Sequence, residues 1–246
     1  MNTLKRWLRT LRSTAYWFLF VRDFFTFRRL DQSPRFSFRW SDRKACLHDN
    51  TTKTGFDRHY VYHPAWAARV LAETKPEKHV DISSLLSFSA VLSAFLPVEF
   101  YDYRPADLAL SQLTSQSADL LALPFASNSV KSLSCMHTVE HVGLGRYGDA
   151  LDPEGDQKAI RELIRVLAPG GDLLFVVPVG AARIQFNAHR IYTHQQIKDS
   201  FSELVLHEFA LIPDKAVDGG LIRHASPELA DAQKYACGCF WFKKPL

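Results

Sequence analysis

From residue 61 onward, short continuous apolar runs alternate with stretches whose apolar residues recur every three or four positions. The first such stretch predicts a helix beginning near Pro64, a residue suited to the first helical turn, and running through Trp66 and Val70 toward Lys75. The run 78–82 reads as a short strand with Asp81 at its end, Leu85 to Leu96 as a helix, and Val98 to Tyr101 as a second strand closed by Asp102. Ser129 to Met136 reads as a further strand. Ile160, Leu163, Ile164 and Leu167 then mark a helix that Pro169-Gly170-Gly171 terminates. Leu173 to Val177 is continuously apolar, as expected of a parallel strand covered on both faces. A helix near 193–201 and two strands, Leu204–Ile212 and Tyr235–Phe242, that pair at the sheet edge complete the pattern. Alternation of this kind predicts an α/β domain over 61–246, a doubly wound, mostly parallel Rossmann-like sheet with an antiparallel last strand.

The N-terminal pattern is different. Over residues 4–19, Leu4, Trp7, Leu8, Leu11, Ala15, Phe18 and Leu19 share one helical face and Lys5, Arg6, Arg9 and Arg12 another. Aromatics continue through Phe20, Phe24, Phe25 and Phe27. This predicts a basic amphipathic segment over 1–30. Its longest uncharged run, Ser13–Val21, is too short to span a bilayer, and no small-residue cleavage site marks a signal peptide. Such a helix suits an anionic membrane surface, or packing on its own domain or on a second subunit. Residues 31–60 are rich in polar residues and turn formers without clear periodicity, and read as a connecting region.

Charge placement sharpens the picture. The formal net charge is +4, yet residues 1–30 alone carry about +6, which leaves the rest of the chain at about −2. A nucleic-acid binder carries basic charge on its folded body, so nucleic acid is excluded as the expected partner. The cysteines, Cys46, Cys135, Cys237 and Cys239, show no disulfide spacing and read as packing residues of a cytoplasmic protein.

In a doubly wound sheet the ligand binds at the carboxyl ends of the strands. Asp81 and Asp102 end the first two strands, and an acid at the second of these positions can accept hydrogen bonds from both hydroxyls of a ribose. Asp119-Leu120 precedes Leu123-Pro124-Phe125 and could flank an adenine ring. The stretches "ADLLALPFASNSVKSLSCMHTVEHV" and "AIRELIRVLAPGGDLLFVVPV" resemble the central half of class I S-adenosylmethionine-dependent methyltransferases. Within that superfamily, "EHVGLGRYGDALDPEGD" and "PVGAARIQFNAHRIY" are similar to a branch linked to bacterial surface-polysaccharide gene sets. The resemblance covers roughly residues 60–244. It implies that Asp81, Ser83 and Ser84 form the loop under the methionine part of S-adenosylmethionine, that Asp102 holds the ribose, and that Asp119 with Leu120 frames the adenine. It also implies methyl transfer to a hydroxyl of a sugar or glycan-linked acceptor. The usual Asp-x-Gly-x-Gly loop is here "DISSLLSF", with serines where glycines let a backbone approach the cofactor, and Lys131 stands where an acid is common. Those departures support an alternative, a degenerate methyltransferase fold acting as a binding or scaffold module at the membrane surface.

His137, Glu140 and His141 follow the third predicted strand in the order His-x-x-Glu-His, which also marks one group of zinc peptidases. A peptidase site needs both histidines on one helical face, and Gly143 and Gly145 break any helix within a turn. The expectation is therefore a metal-free loop over the active site. His141 is the candidate base, with Glu140 orienting it or serving as base itself. His137, Arg146, Asp149, His189 and Arg190 are candidates to bind the acceptor. A nicotinamide dehydrogenase is disfavoured, because no Gly-x-Gly-x-x-Gly follows the first strand. Oligomeric state is not legible.

Overall fold

A computed structural model describes the backbone of residues 2–246 and the side chains from Ser13 onward. The chain divides into two compact units, residues 1–56 and 57–246.

The first unit holds helix α1 (Asn2–Leu30) and a short 3-10 turn, Trp40–Asp42. The amphipathic faces expected of residues 4–12 lie outside the described side chains. From Ser13 on, aromatic residues gather among themselves. Phe24 is buried against Phe38 at a ring-centroid distance of 4.4 Å and against Trp40 at 4.8 Å. Phe18, Phe25, Phe27 and Phe36 are exposed beside the exposed Arg28 and Arg29. Among the described residues no helix is long and apolar enough to cross a membrane.

The second unit is an eight-stranded sheet flanked by helices. In chain order it runs α2 (Arg58–Thr74), β1 (His79–Ile82), α3 (Leu86–Leu92), β2 (Val98–Asp102), β3 (Leu113–Ser117), β4 (Val130–Met136), α4 (Gly155–Val166) and β5 (Leu167–Val179). A hairpin of β6 (Arg183–Gln185) and β7 (His189–Ile191) follows, then α5 (His194–Ser200), β8 (Val205–Ile212), β9 (Ile222–Arg223), α6 (Pro227–Asp231) and β10 (Ala236–Lys243). The sheet order is β3-β2-β1-β4-β5-β10-β8-β9. β3, β2, β1, β4 and β5 pair in parallel, and β10 is antiparallel to both β5 and β8. This is the doubly wound, Rossmann-like architecture expected. The last strand is antiparallel but sits inside the sheet, with β8 and β9 beyond it. Its fully buried residues, such as Cys237, Cys239, Phe240 and Phe242, suit an interior position.

Several boundaries differ from the pattern reading. α2 starts six residues before Pro64, because Asp57 caps it by accepting from the Tyr60 N–H at 3.3 Å. Pro64 stands inside the helix. α3 is shorter than its apolar run: it stops at Leu92, where Ser93 Oγ donates to the Ala90 carbonyl at 2.8 Å and competes with the helical ladder. The helix of Ile160 to Leu163 ends at Val166, before Pro169, and Pro169-Gly170-Gly171 lies within β5 where its register to β4 shifts. β3 escaped the pattern altogether. Its sequence, Leu-Thr-Ser-Gln-Ser, is polar because the strand forms the exposed edge of the sheet.

A buried polar network braces the centre of the sheet. Ser134 Oγ donates to Asp81 Oδ1 at 2.6 Å, and Ser89 Oγ donates to Asp81 Oδ2. A hydroxyl has one proton, so Ser134 Oγ accepts from His79 Nε2 at 2.9 Å, and His79 Nδ1 accepts from Ser132 Oγ at 2.8 Å. Burial lowers the His79 pKa to about 3 and raises that of Asp81 against the pull of its serine donors.

Candidate active site

The carboxyl ends of β1, β2 and β4 open onto two adjoining cavities. The first, about 440 Å³, is lined by Ser83, Asp102, Asp119, Leu120 and residues of the loop after β4, among them Thr138, Gly143 and Asp149. The second, about 620 Å³, is lined by Tyr60, Ser84, Glu140, Arg146, His189 and Tyr235, with others. Ser83, His137, His141 and Tyr147 line both and form the wall between them.

Helix α4 braces the turn that follows Asp119 and Leu120 in the first cavity. Arg165 donates to the carbonyls of Phe125 and Leu123 at 2.8 and 3.0 Å, and Glu162 Oε2 accepts from the Leu123 N–H at 2.9 Å. This clamp explains why the Leu-Pro-Phe turn and the Arg-Val-Leu helix end occur together. It fixes the turn that presents Asp119 and Leu120. Asp102 Oδ1 accepts from the Arg104 N–H at 2.7 Å, while Oδ2 has no partner among the described residues. Asp119 Oδ1 accepts from the Leu121 N–H at 2.8 Å.

Ser83 occupies the expected glycine position and adopts the glycine conformation, with φ +52°. The strain is held by its neighbours: the Ser83 N–H donates to the Tyr101 carbonyl at 2.6 Å, and Thr138 Oγ1 donates to the Ser83 carbonyl at 2.9 Å. Ser84 Oγ accepts from the Met136 N–H at 2.9 Å and ties β1 to β4. Asp81 lines neither cavity. It is fully buried, and its oxygens are taken up by Ser134 and Ser89.

The loop after β4 follows an irregular path that glycine permits. Gly143 has φ +78°, and a side chain there would overlap the Asp152 carbonyl. Asp149 holds the loop from inside: Oδ2 accepts from the Gly143 and Gly145 N–H groups at 2.8 and 3.2 Å, and Oδ1 accepts from Tyr147 N–H at 3.1 Å. Burial would raise the Asp149 pKa, but these backbone donors outweigh it and hold the group below the usual range. Arg190 clamps the same loop, donating to the Val142 carbonyl at 2.6 Å and lying 3.6 Å from Asp156. It is buried and lines neither cavity.

His141 Nδ1 lies 2.6 Å from the Ala188 carbonyl. A carbonyl only accepts, so Nδ1 carries the proton and Nε2 presents a lone pair. Nε2 lies 3.8 Å from Glu140 Oε1. Glu140 is 1% exposed. Its Oε1 accepts from His137 Nδ1 at 2.9 Å, and its Oε2 is buried without a partner. Arg146 is exposed and donates to the Ala188 carbonyl at 3.2 Å, beside His141. His189 faces the second cavity, and burial lowers its pKa. His141 and Glu140, with Arg146 and His189, are thus brought together.

Pattern reading missed Tyr60, Asn187 and Tyr235 in the second cavity, and His59, His63 and Cys237 beside His137. Once the start of α2 is placed at Asp57, the spacing of His59 and His63, one turn apart, is the signal that was available.

The strand order, with the antiparallel β10 between β5 and β8, is that of a Rossmann-like methyltransferase fold. The N-methyltransferase NodS of Bradyrhizobium japonicum WM9, solved in complex with S-adenosyl-L-homocysteine, is similar to this chain at a TM-score of 0.52 and 14% identity, over 75% of this chain and 87% of that one. The YcgJ protein of Bacillus subtilis is similar at a TM-score of 0.51 and 15% identity, over 74% of this chain and 99% of that one. Residues 121–207 match a sequence family described as a Caenorhabditis protein of unknown function, DUF268. No curated protein matches the chain.

Proposed function

We propose that this protein is an S-adenosylmethionine-dependent methyltransferase that modifies a hydroxyl of a sugar or glycan-linked acceptor. The observation that carries the reading is the pair of cavities sharing His141 in their common wall. The first fits the cofactor: Asp102 offers an unpartnered carboxylate oxygen at the end of β2, Leu120 offers an apolar surface, and Ser83 keeps the backbone shape a glycine would give. Its volume falls within the roughly 300–1,000 Å³ of small-molecule pockets. Asp102 would hold the ribose, and Asp119 and Leu120 the adenine. When bound, the cofactor supplies a methyl group on a sulfonium.

The chain's own residues then do the rest. His141 Nε2, already the acceptor tautomer, takes the proton of the attacking hydroxyl. Glu140 at 3.8 Å stabilises the imidazolium that results. Arg146 and His189 orient the acceptor, and the rings of Tyr60, Tyr147 and Tyr235 offer flat surfaces with hydroxyl handles that suit a polyhydroxylated ligand. The sugar class rests on that lining and on the resemblance of the loop sequences. The exposed phenylalanines and arginines of α1 support attachment of residues 1–30 to an anionic membrane surface, on the cytoplasmic side.

Isothermal titration with S-adenosylmethionine and S-adenosylhomocysteine tests the reading, and micromolar binding is expected. One feature favours a second reading, a non-catalytic binding module: the loop Ser83-Ser84-Leu85 spends its hydroxyl and carbonyl groups on internal hydrogen bonds. Absence of heat or thermal shift with either ligand would establish that reading instead.

A further inference from the structure

Three potential metal ligands meet at the His137 side of the wall that separates the cavities. His59 comes from the first turn of α2, His137 from the end of β4 and Cys237 from β10. One ligand atom from each lies within 4.8 Å of the others. Cys237 is fully buried, His59 and His137 are each 9% exposed, and no other such group occurs among the described residues. We propose that His59, His137 and Cys237 form a binding site for a divalent transition-metal ion of the zinc class.

The geometry matches the chemistry. Zn–S bonds of about 2.3 Å and Zn–N bonds of about 2.0–2.1 Å at tetrahedral angles put nitrogen and sulfur ligand atoms about 3.5 Å apart. His137 Nε2 lies 3.4 Å from Cys237 Sγ. The 2.9 Å hydrogen bond from His137 Nδ1–H to Glu140 Oε1 leaves Nε2 with its lone pair directed at the cluster. This carboxylate–histidine pairing is the support that metal-bound histidines receive in general.

Independent support comes from the charge of Glu140. A carboxylate 1% exposed, with Oε2 buried and unpartnered, is costly to keep in a protein interior without a compensating cation. Within this neighbourhood Arg146 is turned to Ala188, and Arg190 to the loop carbonyls and Asp156. A dication held by His137 would supply the missing positive charge one imidazole away. Binding displaces the Cys237 thiol proton to solvent and forms a metal–thiolate bond, with no change in oxidation state. His141 is not part of the cluster, so the site differs from the His-x-x-Glu-His pattern of the peptidases. The inference does not depend on methyl transfer.

The test uses the full chain, purified reduced and stripped with a chelator, and titrated with Co²⁺ alone and then Zn²⁺. One equivalent of Co²⁺ should give a thiolate charge-transfer band and the visible bands of a tetrahedral site, and Zn²⁺ should abolish both. Cys237→Ser should remove the charge-transfer band, whereas Cys239→Ser should leave it. Glu140→Gln should weaken metal affinity by about 10–100-fold, the usual cost of losing a carboxylate behind a ligating histidine. Absence of a stoichiometric cobalt spectrum in the wild-type chain, or a band that survives Cys237→Ser, overturns the proposal. Titration with S-adenosylhomocysteine, with and without chelator, reports separately on the methyltransferase reading.

Discussion

Replacing Ser134 by alanine tests the role given to Asp81, an acid that the family resemblance placed under the cofactor and the fold places in the braced interior. Ser134 Oγ gives its only proton to Asp81 Oδ1 at 2.6 Å and accepts from His79 Nε2 at 2.9 Å. The alanine variant therefore strands two fully buried groups, an imidazole N–H and a carboxylate oxygen. Each orphaned group costs about 1–3 kcal/mol, and a charged one more, so the pair should cost roughly 2–6 kcal/mol. Ser132→Ala strands only His79 Nδ1 and should cost about 1–3 kcal/mol. Denaturant titrations at neutral pH measure both, as a lower midpoint at unchanged slope. Calorimetry with S-adenosylhomocysteine should find the affinity of folded Ser134→Ala close to that of the parent, since neither Ser134 nor Asp81 lines the first cavity. A loss no larger than that of Ser132→Ala would refute the proton assignment. Affinity weakened by about tenfold or more (about 1.4 kcal/mol) at an unchanged midpoint would return Asp81 to the cofactor.

Asp102→Ala should weaken S-adenosylhomocysteine by about 1–3 kcal/mol, read by the same calorimetry, because the ribose hydroxyls lose their acceptor. His141→Ala should abolish most methyl transfer to any accepted hydroxyl substrate while leaving cofactor affinity nearly unchanged; equal loss of both in a folded variant would count against a base. The His79 pKa falls from 6.5 in the unfolded chain to about 3 in the folded one, so between these values only the unfolded chain takes the proton. This contribution to stability is complete above pH 6.5 and is lost toward pH 3 at roughly 1.4 kcal/mol per pH unit, and His79→Gln should flatten the measured slope by one proton. Co-sedimentation of the intact chain with anionic vesicles should fall as salt is raised, and retention insensitive to salt would exclude an electrostatic attachment.

The class of fold was legible because buried parallel strands carry apolar runs, and Leu173 to Val177 is apolar throughout. The edge strand β3 was not legible, since only Leu113 among its residues is buried. Asp102, Asp119 and Leu120 were readable as strand-end and turn residues, and the cavity contains them. Asp81 and Arg190 were not readable as interior residues, because their partners Ser134, Ser89 and the Val142 carbonyl are fixed by tertiary contact. Asp149 was expected near the acceptor and stands instead in the first cavity's lining with its oxygens on the loop backbone. Ser83 shows that a glycine position is a backbone requirement first: the left-handed conformation persists at φ +52° without glycine. His59, His137 and Cys237 are separated by 78 and 100 positions, so no local spacing could unite them.

The place of β10 between β5 and β8 has a consequence for synthesis on the ribosome. Strands emerge in order of translation, so β5 and β8 leave the exit tunnel with a gap between them that residues 236–243 fill. Until then both present open backbone edges, the surfaces on which nascent chains stick to one another. A ribosome stalled before codon 236 would release a chain with two unpaired inner edges and without Cys237. Loss of this late segment should therefore yield aggregates, where loss of the edge strand β9 should yield a soluble but weakened fold.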